Sequence, residues 1–328
     1  MFFDNSFQAG LVLLVAGSNP VWENNNLTLE VTMSLATQLA GISLEHPLMN
    51  AAGTCKTFEH AKRFARSAVS AIVVGPVTPE ERDGNSGNVY WQGEFYSLNS
   101  LGMPNPGEYG FFQHHWQAIR DVASKAGKPV ILQIAGFSAK DYSYVALVAA
   151  REKVEHVELN FGCPNIWDDG TQKGIISFDA EAIVLIVKMV REVFGGTIGV
   201  KLSPYSDPGL LKRVAEAINS LGTDVGYVAC SNTFPNAFIV DPGTGNAVIS
   251  VGGGLAGLSG KAMKPIAMGQ VKQFQALLEH ADIVGVGGIT TWQDVMDFQM
   301  AGARAVQAST AFWNKNEDPG VYSDILAH

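Results

Sequence analysis

The centre of the chain reads His156-Val-Glu-Leu-Asn-Phe-Gly-Cys-Pro-Asn165. Its first half alternates apolar and polar residues, which is typical of a short β-strand. The strand breaks at the glycine, so Cys163 and Asn165 lie just past its end, where α/β barrels and sheets carry their functional residues. A buried cysteine in a tight turn is the structural alternative. Because Cys-Pro halts a strand and exposes the residues after it, the segment alone fits either interpretation.

Short apolar segments alternate with amphipathic segments from Met33 onward. Eight strand candidates result, at 47–53, 71–77, 130–135, 156–160, 199–202, 225–230, 283–286 and 305–308. Strands that alternate with helices predict an α/β fold, and eight regular units predict a single (β/α)8 TIM barrel. An open doubly wound sheet is the alternative. Long loops at 78–110 and 231–260 follow the second and sixth strands, which puts both on the predicted catalytic face.

Composition bounds the class of protein. The chain has 328 residues, of which 47% are hydrophobic and 16% charged, so a large core can be filled. A net charge of −9 and the lack of a basic run argue against a nucleic-acid partner. Three cysteines make neither a disulfide framework nor a four-thiolate iron–sulfur site. We therefore expect a reduced, cytoplasmic protein.

The N-terminal segment differs from the rest. Its apolar run at 10–16 is too short to cross a bilayer, and no positive charge precedes it, so neither a membrane anchor nor a signal peptide is predicted. Residues 17–32 are polar and rich in asparagine. We expect residues 1–32 to be an extension outside the fold and residues 33–328 to form the barrel. A membrane-binding or partner-binding arm is the alternative.

Asparagines recur at the predicted strand ends and in the first long loop: Asn50, Asn99, Asn105, Asn160, Asn165 and Asn232. Turn chemistry alone explains one of them. Several at equivalent strand ends indicate a site for amide-like groups, such as a pyrimidine edge or an isoalloxazine ring. Lys201 stands in an otherwise apolar strand, which is costly unless the lysine serves an anionic or electron-rich ligand. A lysine that extends to solvent is the alternative.

Two late loops are typical of a phosphate site. Gly287-Gly288 ends the seventh strand and Ser309-Thr310 ends the eighth, where such barrels usually bind phosphate. Gly257-Leu-Ser-Gly260 would add backbone N–H donors. Glycines that cap helices are the alternative for each loop. The run Gly252–Gly257 fits GxGxxG, but it comes too late in the chain and lacks an acidic partner, so we reject a Rossmann site. The histidines lack metal-ligand spacing, and no metal is predicted.

With these residues in hand, the chain resembles the dihydroorotate dehydrogenase family from about Met33 to Thr310. The motifs that carry the resemblance are Asn50-Ala-Ala-Gly53, Asn99-Ser-Leu-Gly-Met-Pro-Asn105, Glu158-Leu-Asn-Phe-Gly-Cys-Pro-Asn165, Gly199-Val-Lys-Leu202 and Gly257-Leu-Ser-Gly-Lys-Ala-Met-Lys-Pro265. The resemblance implies a barrel that holds FMN at the C-terminal strand ends and oxidises dihydroorotate to orotate in pyrimidine synthesis.

The resemblance also implies roles for residues. Cys163 would be the base that removes the C5 proton, as in the cytosolic class of the family, with Asn160 and Lys201 completing the catalytic group. Residues implied for the substrate are Asn99, Leu101, Gly102, Met103, Asn160, Asn165, Asn232 and Thr233. Residues implied for FMN are Ala52, Gly53, Asn99, Asn160, Lys201, Gly260, Gly287, Gly288, Ser309 and Thr310. A homodimer is implied, or else a partner subunit that carries FAD and an iron–sulfur cluster.

Three departures from the family pattern bear on the substrate. Gly75 stands where the family usually has a lysine near flavin and substrate, Asn88-Val89 replaces a Pro-Arg pair, and Gly162 replaces a serine. Lys56 is a candidate for the missing cation. We retain dihydroorotate as the expected substrate. The alternatives are a related FMN barrel acting on another cyclic amide or dihydropyrimidine, and a flavin-binding barrel without dihydroorotate turnover.

Overall fold

The computed structural model describes residues 35–168 and 170–327, so the expected extension at 1–32 lies outside the described residues. The central element is an eight-stranded parallel sheet in which the strands follow the order β1-β8-β7-β6-β5-β4-β3-β2. The strands are β1 (Leu48–Asn50), β2 (Ile72–Val77), β3 (Val130–Ile134), β4 (His156–Asn160), β5 (Thr197–Leu202), β6 (Tyr227–Cys230), β7 (Asp282–Val286) and β8 (Ala305–Ala308). The (β/α)8 prediction is confirmed.

Helices surround this sheet: α1 (Phe58–Ala65), α2 (Gln117–Lys125), α3 (Ala139–Arg151), α4 (Ala180–Arg191), α5 (Pro208–Asn219), α6 (Lys264–Leu277), α7 (Trp292–Ala301) and α8 (Val321–Leu326). A short helix, Gly107–Phe111, and a π-helical turn, Phe112–Trp116, lead into α2. Side-chain caps define several starts, such as the capping box of Ser138 and Asp141 at α3. No helix in the described part of the chain is long and apolar enough to cross a membrane.

A side chain joins the two ends of the sheet. Asn50 on β1 donates from Nδ2 to the Val73 carbonyl at 2.8 Å, and its Oδ1 accepts from the Val73 amide at 2.9 Å. The asparagine amide thus bonds the β2 backbone as a neighbouring strand would. Asn50 is fully buried, so the interpretation of this asparagine as a ligand-binding amide is wrong.

Asn105 also has a structural role. Its Nδ2 donates to Thr78 Oγ1 and to the Met103 carbonyl, each at 2.9 Å, and its Oδ1 accepts from the Gly107 amide at 2.9 Å. These bonds hold the end of the first long loop against the end of β2. The asparagine pattern in the sequence therefore mixes two structural residues with the candidate site residues.

A hairpin before β1 packs into the barrel. Its strands, Thr37–Leu39 and Ile42–Leu44, pair in antiparallel fashion. Leu39 and Leu44 share an apolar cluster with inward-facing residues of the barrel, including Val284. Burial of each leucine stabilises the fold by about 1.5–3 kcal/mol.

The two long loops contain short strands that were not predicted from the sequence. They pair as a four-stranded antiparallel sheet in the order Phe234–Ala237, Ala256–Ser259, Ser97–Asn99, Tyr90–Gln92. We call this the loop sheet. Because both loops leave the C-terminal ends of barrel strands, the loop sheet lies at the end of the barrel where barrel enzymes bind substrates.

Candidate active site

A cavity lies between the C-terminal ends of the barrel strands and the loop sheet. Many of the sequence-predicted residues line it: Ala52, Gly53, Asn99, Leu101, Lys201, Asn232, Thr233, Gly260, Gly287, Gly288, Ser309 and Thr310. The fold therefore brings together both predicted phosphate loops and some of the predicted strand-end residues, among them Lys201 and Asn232. Of the remaining predicted site residues, Gly102, Met103, Asn160, Cys163 and Asn165 are not part of the cavity lining.

Several lining residues were not predicted from the sequence. Tyr90, Phe95 and Tyr96 come from the first long loop, and Trp313 follows β8. The rings of Tyr90 and Trp313 lie 5.7 Å apart, and the Tyr90 hydroxyl donates to Asn314 Oδ1 at 2.6 Å. These contacts tie the loop sheet to the segment after β8. The cluster of aromatic residues in the first long loop is the sequence signal that could have identified these lining residues.

The candidate asparagines form hydrogen-bonded pairs. Asn232 donates to Asn160 Oδ1 at 3.0 Å, and Asn165 donates to Asn99 Oδ1 at 3.1 Å. Each pair joins a β4-end residue outside the cavity lining to a residue that lines the cavity. Asn160 also accepts from the Gly162 amide at 3.3 Å, which fixes the turn before the cysteine. The amide groups are thus held in place before any ligand binds.

Lys201 is buried on β5, with 6% of its surface exposed, so the alternative of a lysine that extends to solvent is wrong. Its Nζ donates to Gln307 Oε1 at 3.1 Å. Burial lowers the pKa of Lys201, and the negative charge of Glu158 raises it. A buried ammonium that also lines the cavity is suited to an electron-rich or anionic ligand.

Cys163 is the most accessible of the three cysteines, because Cys55 and Cys230 are buried. It packs beside Met103, Ala135 and Ile166. Burial raises the pKa of its thiol to about 11, and a backbone hydrogen bond from Asn165 and the charge of Arg82 oppose that shift.

Arg82 contacts one predicted site residue and acts on another, and it was not predicted from the sequence. Its Nε donates to the Gly102 carbonyl at 3.2 Å, and its guanidinium lies 4.9 Å from the centre of the Phe137 ring. Arg82 therefore places a cation beside the Leu101–Met103 backbone and near the thiol of Cys163. Its position in a long polar loop gave no signal in the sequence.

Two hydroxyls that line the cavity have no hydrogen-bond partner among the described residues. Ser231 Oγ and Thr233 Oγ1 are both buried in this way. An unmade hydrogen bond at a buried hydroxyl costs about 1–3 kcal/mol. Both groups are thus available to a polar ligand in the cavity, and Ser231 was not predicted.

The Gly75 position excludes a side chain. Its φ is +113°, and a Cβ there would lie 2.6 Å from the carbonyl oxygen of Gln133. A lysine at this site would therefore require the end of β2 to change shape. Lys56 is not part of the cavity lining, and Glu317 is the charged group that acts on it. The structure thus gives no support to Lys56 as a substitute cation.

Fold and site together define a (β/α)8 barrel with a ligand cavity at the C-terminal strand ends, a buried lysine and paired amides. The profile of the dihydroorotate dehydrogenase family matches residues 34–327. The chain belongs to the dihydroorotate dehydrogenase family, whose members are oxidoreductases.

The names of the relatives specify two different electron acceptors. The chain is 31% identical over 299 residues to dihydroorotate dehydrogenase (fumarate) of Trypanosoma cruzi, a match that covers 89% of this chain and 91% of the relative. Dihydroorotate dehydrogenase A (fumarate) of Lactococcus lactis subsp. cremoris is 31% identical, with coverage of 89% and 92%. The catalytic subunit of dihydroorotate dehydrogenase B (NAD(+)) of Listeria monocytogenes is 33% identical, with coverage of 84% and 86%.

Proposed function

We propose that this protein oxidises (S)-dihydroorotate to orotate in de novo UMP synthesis, with FMN as its bound cofactor. The observation that carries the proposal is the grouping, in a member of this family, of Lys201, two asparagine pairs and the half-buried Cys163 at one end of the barrel. These groups match a cyclic amide that loses a proton from carbon.

The cavity fits FMN on its own chemistry. Lys201 offers a cation to the electron-rich edge of an isoalloxazine ring, and the unpartnered hydroxyls of Ser231 and Thr233 offer hydrogen bonds. We assign the phosphate to the loops Gly287-Gly288 and Ser309-Thr310, with Gly260 beside them. When bound, FMN would supply the acceptor for the hydride that leaves C6 of the substrate.

Cys163 is the proposed base. Its thiolate takes the C5 proton, while Asn99, Asn165, Asn160 and Asn232 orient the substrate ring through their amides. The backbone of Leu101, Gly102 and Met103, with Thr233 nearby, completes the proposed substrate site. Because Arg82 bonds the Gly102 carbonyl, we assign its positive charge to the substrate carboxylate end of the site.

The proposal has two versions, which differ in the final electron acceptor. The names of the Trypanosoma and Lactococcus relatives specify fumarate, and that of the Listeria relative specifies NAD(+) and a catalytic subunit. We propose a cytoplasmic homodimer that uses fumarate. The second candidate is a catalytic subunit that needs an FAD and iron–sulfur partner to reach NAD, since three cysteines cannot hold such a cluster here. Turnover of the purified chain with fumarate, and none with NAD, would support the first.

The lack of a side chain at Gly75 favours one alternative substrate class. The carboxylate of dihydroorotate binds more tightly beside a cation, and a neutral cyclic amide such as dihydrouracil has no carboxylate. The lack of a lysine at this strand end therefore weakens the binding of dihydroorotate more than that of dihydrouracil. This second function keeps the barrel, the FMN and Cys163, and changes only the substrate. A flavin-binding barrel without turnover is the remaining alternative.

A substrate screen tests the proposal. The FMN-loaded chain is supplied with dihydroorotate, dihydrouracil or dihydrothymine and an artificial electron acceptor, and acceptor reduction is followed. We expect turnover with dihydroorotate, and a loss of at least about a hundredfold in Cys163→Ala. The matched control, Cys230→Ala, changes a buried thiol that is not itself part of the cavity lining. Turnover of only a neutral substrate would contradict dihydroorotate as the substrate.

A further inference from the structure

Glu158 lies on β4 in the middle of the barrel and is fully buried. Its carboxylate has no part in the chemistry proposed above. One oxygen accepts from Gln133 Nε2 at 2.6 Å, and the other accepts from Gln307 Nε2 at 2.7 Å and from the Tyr227 hydroxyl at 3.3 Å. A buried carboxylate is costly even when it is well hydrogen-bonded. Because three strands each supply a donor to this costly group, we expect the carboxylate to have a role other than packing.

The sequence makes room for this arrangement. Gly199 is the register partner of Glu158 on β5, and a Cβ at Gly199 would lie 2.1 Å from Cζ of the Tyr227 ring. The glycine thus allows the tyrosine to reach across β5 to the carboxylate. Burial and the neighbouring Glu158 keep the pKa of Tyr227 well above its ordinary value, so the hydroxyl stays a donor.

One branch of hydrogen bonds runs from Glu158 to Lys201. Gln307 donates to the carboxylate, and its oxygen accepts from Lys201 Nζ at 3.1 Å. A lysine ammonium only donates and an ionised carboxylate only accepts, so the two ends fix the orientation of the glutamine amide between them. Lys201 and Gln307 both line the cavity.

A second branch runs from Glu158 to the asparagines. Gln133 donates to the carboxylate, and its oxygen accepts from Asn160 Nδ2 at 3.2 Å. The oxygen of Asn160 is then left to accept from Asn232 Nδ2 at 3.0 Å. The carboxylate thus fixes which atom donates and which accepts in the side-chain amides of Gln133 and Asn160, which lie between Glu158 and the cavity.

From this geometry we infer that Glu158 is a positioning residue, which holds Lys201 as a fixed cation through Gln307 and fixes the amide orientation of Asn160 through Gln133. The inference deepens the proposed function and rests on it, because Lys201 is assigned there to the flavin.

The test uses sulfite, which adds to oxidised flavin as an anion and binds more tightly when a cation is held beside the ring. The dissociation constant of sulfite is measured on the FMN-loaded chain and on Glu158→Gln, Gln307→Met and Gln133→Met. We expect sulfite to bind at least about tenfold more weakly in Glu158→Gln and in Gln307→Met. Gln133→Met is the matched control, because it removes a Glu158 donor on the other branch. It should keep the sulfite affinity and weaken orotate binding.

The direction of the change separates this role from a simple charge effect. Removal of a negative charge near the flavin would by itself tighten the binding of an anion, so equal or tighter sulfite binding in Glu158→Gln would overturn the inference. If that variant does not fold, as judged by circular dichroism, Gln307→Met decides, and an unchanged sulfite affinity there would overturn the relay.

A measurement without FMN separates this inference from the proposed function. In the cofactor-free chain, the pH dependence of Lys201 acetylation, read by mass spectrometry against Lys261 as an internal reference, reports how far Lys201 is charged. We expect its midpoint to move to lower pH in Glu158→Gln, since the charge of Glu158 raises the pKa of Lys201. An unmoved midpoint would overturn the inference. A chain that takes up no FMN but shows the shift would overturn only the proposed function.

Discussion

At the residue scale, the proposed base Cys163 starts mostly protonated, because burial raises the pKa of its thiol to about 11. Below that pH, the thiolate fraction increases about tenfold per pH unit. We expect the rate of flavin reduction by dihydroorotate to rise steadily between about pH 6.5 and pH 9. Stopped-flow absorbance measures this rate, and a profile that is flat over the range would contradict the assignment of Cys163 as the base.

Variants of Arg82 and Lys173 test the pH dependence further. The charge of Arg82 lowers the pKa of Cys163, so Arg82→Gln should displace the pH profile to higher pH. Lys173 also lies over the Phe137 ring, with Nζ 4.9 Å from the ring centre, and Lys173→Gln controls for the loss of a nearby cation. An equal displacement in both variants would mean that the effect of Arg82 is not specific.

At the element scale, β1 and β2 stand at the two ends of the strand order and are not paired with each other. The side-chain hydrogen bonds of Asn50 take the place of that pairing. Asn50→Ala would leave the buried amide and carbonyl of Val73 without these partners. We expect the free energy of unfolding to fall by about 2–4 kcal/mol, measured by denaturant titration. The control Asn246→Ala changes an exposed asparagine and should cost less than about 0.5 kcal/mol. Similar losses in both variants would refute the bridging role.

Gly75 gives a second prediction at this scale. Gly75→Lys introduces the lysine that the family resemblance led us to expect, but φ is +113° and the Gln133 carbonyl oxygen would lie 2.6 Å from the new Cβ. We expect a loss of about 2 kcal/mol or more of unfolding free energy and no gain in dihydroorotate affinity. Gly269→Lys, at an exposed position of α6, should be neutral or stabilising. Tighter dihydroorotate binding by a fully stable Gly75→Lys would show that the end of β2 accepts a side chain.

The elements divide into those that the sequence could predict and those that it could not. The barrel strands were predictable because buried parallel strands form short continuous apolar runs. The loop sheet was not, because its strands are three or four residues long and pair across the chain, as Asn99 does with Gly257. Asn50 could not be told from a ligand-binding asparagine, since an amide has the same donors and acceptors in either role. The unpartnered hydroxyl of Ser231 needed the three-dimensional arrangement.

At the scale of the whole molecule, we propose that residues 1–32 contribute nothing to the barrel or to FMN binding. A chain that starts at Met33 should keep the melting temperature and FMN affinity of the full chain. Differential scanning calorimetry and fluorescence titration with FMN measure the two quantities. A marked loss in either would assign the N-terminal segment a part in the fold or in the site.

The most direct test of dihydroorotate oxidation is an anaerobic titration of the FMN-loaded protein with L-dihydroorotate, monitored through the visible absorbance of the flavin. We predict rapid bleaching, with one orotate formed for each flavin reduced, and almost no bleaching in Cys163→Ala although FMN stays bound. Protein that binds FMN but stays yellow with excess dihydroorotate would contradict dihydroorotate as the substrate and Cys163 as its base.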